Sequence, residues 1–268
     1  AGESLFAFGL TEPDAGSDSR GSRTKAVKNA DGTWTIDGSK IFITNGSNEL
    51  TAGAIVQAVS SRNEAGDPEF TCFIVPKGTP GFTAKTMHKK LMWRASDTAE
   101  LYFADVKGPD SAILGKRGAG SQQMLKTLDS GRLSIAAMGL GCAQGAYEAA
   151  LSYAQKRVQF GKPLSRFQAI AFKLADMAMK IEHARVFLYK ACWLRDTKQP
   201  FGMESAMAKL YCSEVAQEVA NEAVQIHGGY GLMKEFDVER FYRDQRLLQI
   251  GEGTSEIQRL VISRAIGC

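Results

Sequence analysis

The hydrophobic period changes once along these 268 residues, and that change restricts the chain to a β-rich half followed by a helical half. From Leu5 to about Asp110, apolar residues alternate in short β-branched runs broken by turn residues; from about Gly118 they recur three and four apart. Leu5–Leu10 opens with a strand-like run. Thr33–Ile36 and Lys40–Thr44 read as two strands joined at Asp37-Gly38, because Asp-Gly supplies the positive φ angles of a tight hairpin turn. Further strands are expected at 54–59, 70–75, 83–86 and 99–103, separated by breakers at 63–68, 77–81 and 107–109. Helical periodicity covers 124–160, 167–194, 203–226 and 238–248, and a last short helix should run from near Thr254 to Ala265. Ser165 and Gln168 have capping-box spacing after Pro163, and Gly228-Gly229 follows the third helix. The fold class expected is α+β in two domains: a small antiparallel β-barrel or sandwich over residues 1–112, then a four-helix bundle over 113–268.

The net charge of +4 comes from 33 basic residues nearly offset by 29 acidic ones, without a like-charge block, so nucleic acid is not an expected partner. Five cysteines without a CxxC pair fit reduced thiols and not a disulfide framework. No uncharged apolar run is long enough to span a bilayer. The chain opens at Ala1 without methionine and enters a strand within a few residues, which reads as a chain whose amino-terminal part is absent.

Two loops offer chemistry. Leu10-Thr-Glu-Pro-Asp-Ala-Gly-Ser-Asp18 ends a strand with free N–H groups and hydroxyls suited to a phosphate or heterocycle, although a polar turn between strands explains the same residues. Ile250-Gly-Glu-Gly-Thr-Ser-Glu-Ile-Gln258 places a carboxylate between two glycines just before a helix, where backbone can approach a ligand; a flexible loop with a surface glutamate is an equal reading. Gly139, Gly141 and Gly145 lack dinucleotide-fingerprint spacing and read as small residues for close helix packing. His88, His183 and His227 stand apart, so no metal site is expected, and neither a nucleophile elbow nor a P-loop is present.

Six motifs in order change the weight of these loops: TEPDAGSD at 11–18, DGSKIFITNG at 37–46, ASDTAEL at 95–101, RVQFGKPLSRFQAI at 157–170, QIHGGYG at 225–231 and EGTSEIQR at 252–259. Together they resemble the acyl-CoA dehydrogenase family over essentially the whole chain, matching its middle β-domain and carboxy-terminal helical domain, with the family's amino-terminal helical domain missing.

The resemblance implies a bound FAD. The matching β-domain positions are Phe8, Leu10, Thr11, Gly16 and Ser17, then Phe42, Ile43 and Thr44. Thr11 and Thr44 would hydrogen-bond the isoalloxazine ring, with Thr44 beside the hydride-accepting N5; Phe42 replaces a common tryptophan and can still cover the flavin face. Arg157, Gln168, Gln225 and Gly229 match positions reaching the FAD of a neighbouring subunit, Arg157 neutralising pyrophosphate, and Phe160, Phe167, Ile226 and Gly228 match cofactor positions alongside them. Thr254 and Glu256 match cofactor contacts at the start of the last helix. Asp129, Arg132, Gly253 and Arg264 match CoA contacts, and Ser17 borders both ligands; without the resemblance, Arg132 and Arg264 read as ordinary solvated or ion-paired helix residues.

Glu252 matches the base that removes the α-proton of the thioester, while the base's backbone N–H and a flavin ribityl hydroxyl hold the developing enolate oxygen. Gly251 stands where short- and medium-chain members commonly have tyrosine and a branched-chain member has glycine, which implies added room beside the reacting carbons. The products implied are a trans-2-enoyl-CoA of fatty acid β-oxidation and reduced flavin, reoxidised by an electron-transferring flavoprotein. A homotetramer, a dimer of dimers with shared FAD sites, is implied as well, in the bacterial cytoplasm or the mitochondrial matrix. Two alternatives share the scaffold: an acyl-CoA oxidase, and a non-catalytic flavin-binding homologue associated with nucleic acid. The latter calls for a strongly basic patch, which the mixed charges of Ile181–Arg185 and Val238–Asp244 do not supply.

Overall fold

The computed structural model describes residues 2–268 and divides the chain into two compact units, Ala1–Thr127 and Leu128–Cys268. The division expected at 112/113 precedes this boundary because the start of the first helix packs on the sheet: Phe70 bridges Ala119, and a Cβ on Gly120 would come within 2.8 Å of the Phe70 backbone.

The first unit is an eight-stranded sheet of β1 (Leu5–Gly9), β2 (Lys25–Lys28), β3 (Trp34–Thr44), β4 (Thr51–Arg62), β5 (Pro68–Pro76), β6 (Phe82–Thr86), β7 (Thr98–Gly108) and β8 (Ile113–Leu114). The order is β6-β7-β3-β2-β4-β5-β8, mainly antiparallel, with β1 running parallel to β4. Alternating apolar residues from β1 to β7 bury one core around Trp34, whose ring meets Phe73 at 5.3 Å and whose indole N–H donates to Asp110 at 2.9 Å.

The hairpin expected at Asp37-Gly38 is not there. Residues 34–44 form one strand that crosses β7 with register shifts at Ile36/Gly38 and at Lys40/Ile43. The turn lies at Asp31-Gly32, where Asn29 N donates to Thr33 O at 2.8 Å and joins β3 to β2, a short strand that the alternation does not reveal. The second shift gives Phe42 a φ of 61° and turns its side chain outward, while Ile43 is buried.

The second unit is helical: most of α1 (Gly120–Lys156), then α2 (Gln168–Asp196), α3 (Gly202–His227), α4 (Val238–Asp244) and α5 (Ser255–Ala265), with a small hairpin of β9 (Val158–Gln159) and β10 (Lys162–Pro163) between α1 and α2. Apolar faces of the first four helices share one core including Leu140, Met177, Val219 and Val238. The fourth helix is shorter than the periodicity suggests, because after Asp244 the chain tightens into a 3-10 turn at Gln245–Gln249. Ser165 does not cap α2; its N-cap position is Phe167, without a side-chain bond. Gly228 ends α3 with φ 61°, and Thr254 caps α5 by accepting from Ile257 N, both at the expected places. Among the described residues no helix is long and apolar enough to cross a membrane.

Candidate active site

The 3-10 turn and α5 are joined by a loop whose backbone is unusual for its sequence. Ile250 and Gly251 both donate to Leu247 O, and then Glu252 and Gly253 take φ values of 56° and 88° in succession. A left-handed glutamate costs on the order of 1 kcal/mol, so its surroundings must hold it. Gln258, fully buried on α5, donates Nε2 to Glu252 O at 3.2 Å and to Gly253 O at 2.9 Å. Lys209, fully buried on α3, donates Nζ to Gly253 O at 2.6 Å. The Glu252 carboxylate reaches α1 at Gly131, where any Cβ would come within 2.5 Å of Oε2. Glycine at 131 is what lets the acid lie there.

The charges around this acid are fixed as well. Arg132 is buried, pairs with Asp129 at 2.6 Å, and its Nε has no hydrogen-bond partner among the described residues. Burial pushes the Glu252 carboxyl above its ordinary range, while the positive charges of Arg132 and Lys209 oppose the shift. Burial and the neighbouring Arg132 push the Lys209 ammonium down to about 8, against the pull of Glu252 and Glu256. A half-buried carboxylate whose proton affinity is raised by burial, with two cations beside it, is chemically a stronger base than an exposed glutamate.

The structure therefore brings Asp129, Arg132, Glu252 and Gly253 to one place, with Gly251, Thr254 and Glu256 in the same loop and helix start. Arg264 is not among them: it is exposed in the last turn of α5, roughly 15 Å of helix beyond Thr254. Lys209, Gly131 and Gln258 were not singled out by sequence. Lys209 does carry a signal, for it falls on the buried stripe of α3 between Ser205 and Cys212, where the period calls for a small or apolar residue.

The positions matched to FAD form distinct groups. In the sheet unit, Ile41 N donates to Thr11 O at 2.9 Å, which sets the 8–11 segment beside the outward Phe42 and the exposed Thr44. A buried ion pair fixes the same junction: Lys40 donates to Glu12 at 2.8 Å and to Leu10 O at 3.0 Å, and Glu12 also accepts from Arg23 N and Thr24 N. Gly16 and Ser17 lie exposed in the loop that follows. In the helical unit, Arg157, Ile226, Gly228 and Gly229 line an open cleft of about 480 Å³, with the Arg157 guanidinium 5.4 Å from the Tyr230 ring centre. Gln225 is exposed one residue before Ile226. Phe160, 94% exposed, stands at the tip of the β9–β10 hairpin and meets Phe167 edge-on at 6.1 Å, next to Gln168 at the start of α2. A cation, uncovered glycine backbone and outward aromatic rings are a donor set that fits phosphate and heteroaromatic groups, so the residues present suit a dinucleotide.

Comparison with known proteins gives the same direction. The sequence profile described as acyl-CoA dehydrogenase, middle domain, matches residues 7–106, and that described as acyl-CoA dehydrogenase, C-terminal domain, matches residues 118–267. A probable acyl-CoA dehydrogenase of Bacillus subtilis, YngJ, is 52% identical over 99% of this chain and 69% of its own length. The solved structure of butyryl-CoA dehydrogenase from Megasphaera elsdenii superposes with a TM-score of 0.94 at 48% identity, covering 98% of this chain and 68% of that one. A glutaryl-CoA dehydrogenase from Mycobacterium smegmatis, solved in complex with FADH2, superposes with a TM-score of 0.92 at 34% identity over 100% of this chain and 67% of that one. With both domain profiles matched in order and close relatives across the whole sequence, this chain belongs to the acyl-CoA dehydrogenase family.

Proposed function

We propose that the protein carries out FAD-dependent α,β-dehydrogenation of a short acyl-CoA, giving the trans-2-enoyl-CoA, with Glu252 as the group that removes the α-proton. The observation that carries this reading is the Glu252 loop itself: a carboxylate in left-handed backbone, lying over Gly131, with its proton affinity raised by burial and two cations behind it. Burial strengthens the base; Arg132 and Lys209 keep it available as the anion. Glu252 then accepts the α-proton, and its own backbone N–H would donate to the thioester oxygen as negative charge develops there.

On the family resemblance, Thr11, Ser17, Phe42, Thr44 and Thr254 would each contact FAD, while Arg157, Gln225 and Gly229 would reach the FAD of a neighbouring subunit; when bound, FAD supplies the acceptor for the hydride equivalent leaving the β-carbon. Thr44 would offer a hydroxyl to the ring, and Arg157 a positive charge to the pyrophosphate. Asp129, Arg132 and Gly253 would face the CoA thioester. Electron-transferring flavoprotein is the electron acceptor proposed, and a homo-oligomer with shared cofactor sites the assembly, both on the family resemblance.

The test is Glu252→Gln. The variant should be yellow, with an unaltered flavin spectrum, while kcat/KM for butyryl-CoA falls by about a thousandfold or more. In the parent the acid limb of kcat/KM should lie above pH 4.5, the ordinary carboxyl value, since burial raises the proton affinity of Glu252. Turnover by the glutamine variant near the parental rate would place the base elsewhere.

A further inference from the structure

Lys209 is buried at a cost that the packing of α3 does not explain. It occupies the stripe of α3 that also buries Ser205, Cys212 and Ala216, where leucine or methionine would fit without desolvating a charge. Its Nζ donates to a backbone carbonyl and not to a carboxylate, and that carbonyl belongs to Gly253, the residue directly after Glu252. With Gln258 it restrains both carbonyls of the left-handed pair, so the direction of the Glu252 side chain and of its N–H depends on these two donors. Its charge also acts on Glu252. The charged groups acting on the acid are Arg132, paired with Asp129 on α1, and Lys209 on α3, and Glu256 at the start of α5 acts on Lys209. Arg132 pairs with the Asp129 carboxylate, whereas Lys209 gives its hydrogen bond to a neutral carbonyl.

We infer that Lys209 is a positioning residue for proton abstraction: it holds the Glu252–Gly253 backbone from the side of α3 and presents to the buried base a positive charge that keeps it ionised. The inference rests on Glu252 being the base, and its test separates the two ideas. Three variants of the flavin-loaded protein are compared with Glu252→Gln, reading the flavin spectrum, kcat and KM for butyryl-CoA, and the pH profile of kcat/KM. Lys209→Met removes donor and charge; it should keep the spectrum and a KM within about twofold, lose about tenfold or more in kcat, and move the acid limb to higher pH. Lys209→Gln restores a donor without charge, so its acid limb should shift the same way while kcat recovers in part. Lys209→Arg should restore the parental limb. The sign follows from the chemistry: a nearby cation favours the carboxylate, so removing it makes Glu252 hold its proton to higher pH.

If Glu252→Gln is inactive while the methionine and glutamine variants keep the parental acid limb and a kcat within about twofold, Lys209 serves packing only and the inference is overturned alone. Failure of both variants to accumulate as folded flavoprotein would overturn it too, by assigning Lys209 to the fold. Near-parental turnover in Glu252→Gln would instead remove the underlying reading first.

Discussion

The nearest atoms to a Cβ built on Gly251 would belong to Leu247, with Cδ1 at 3.4 Å and O at 3.6 Å, and the backbone there is outside the left-handed region. A Cβ is therefore accepted next to the base in ordinary contact and without backbone strain, and glycine leaves that position unfilled. Substrate methyl groups that fill such a space gain about 1–3 kcal/mol each, enough to change preference tenfold or more. The protein is expected to accept isobutyryl- and isovaleryl-CoA beside butyryl-CoA, and Gly251→Tyr to cut kcat/KM for the branched substrates more than for the straight one. An unchanged branched-to-straight ratio in the tyrosine variant would show that Gly251 does not shape the acyl pocket. Glu252 and Gly251 were singled out in the sequence by the resemblance of the motif at 252–259 to a family pattern, since a carboxylate between glycines reads equally well as part of a flexible surface loop. Lys209 and Gln258 were not, since their roles depend on which helix faces lie inward around the loop, and a lysine in a helix reads first as a solvated residue. The Lys40–Glu12 pair escaped notice for the same reason: both residues sit within conspicuous motifs, but their pairing joins positions 28 apart.

At the scale of elements, periodicity located the strands and helices that bury one clear face, and failed where local geometry overrides alternation. β3 keeps one direction through Asp37-Gly38 because both of its edges are paired, to β2 and to β7, so a potential turn is absorbed as a register shift. The glycines of α1 behave individually and give a sharp contrast. A Cβ on Gly139 would stand 2.8 Å from Cys212 O, and one on Gly145 would stand 2.8 Å from the Phe241 ring, while Gly141 has nothing within 4 Å. The close packing expected of all three therefore applies to two of them. Gly141→Ala should stabilise the protein by roughly 0.5–1 kcal/mol, the helix preference of alanine over glycine. Gly139→Ala should destabilise it, since α1 must move away from the α3 backbone. Urea unfolding followed by circular dichroism reads both; equal midpoints for the two variants would contradict this account of α1.

On the scale of the whole molecule, α2 presents a surface that its own unit does not cover. Phe172, Met179, Val186 and Trp193 are each more than half exposed and recur every seven residues, with Tyr189 exposed beside them. A seven-residue repeat drifts by only about 20° per heptad on a straight helix, so these side chains form one apolar seam roughly 30 Å long. Soluble monomers rarely leave such a seam in water, and a second copy of the same helix is a self-complementary cover for it. The proposed homo-oligomer would use this face. Substituting Met179→Glu together with Val186→Glu sets like charges against each other across a two-fold contact and leaves the buried side of α2, with Met177, Ile181, Ala184 and Leu188, untouched. Sedimentation velocity at micromolar concentration should then show a smaller species than the parent, with helical circular dichroism retained. Flavin content should fall in parallel, because Arg157, Gln168, Gln225 and Gly229 are the positions proposed to reach a neighbouring subunit's FAD. A double variant that sediments as the parent does would mean that the seam is covered by something other than a second copy, and one that dissociates yet keeps its full flavin would mean that each cofactor site is complete within one chain.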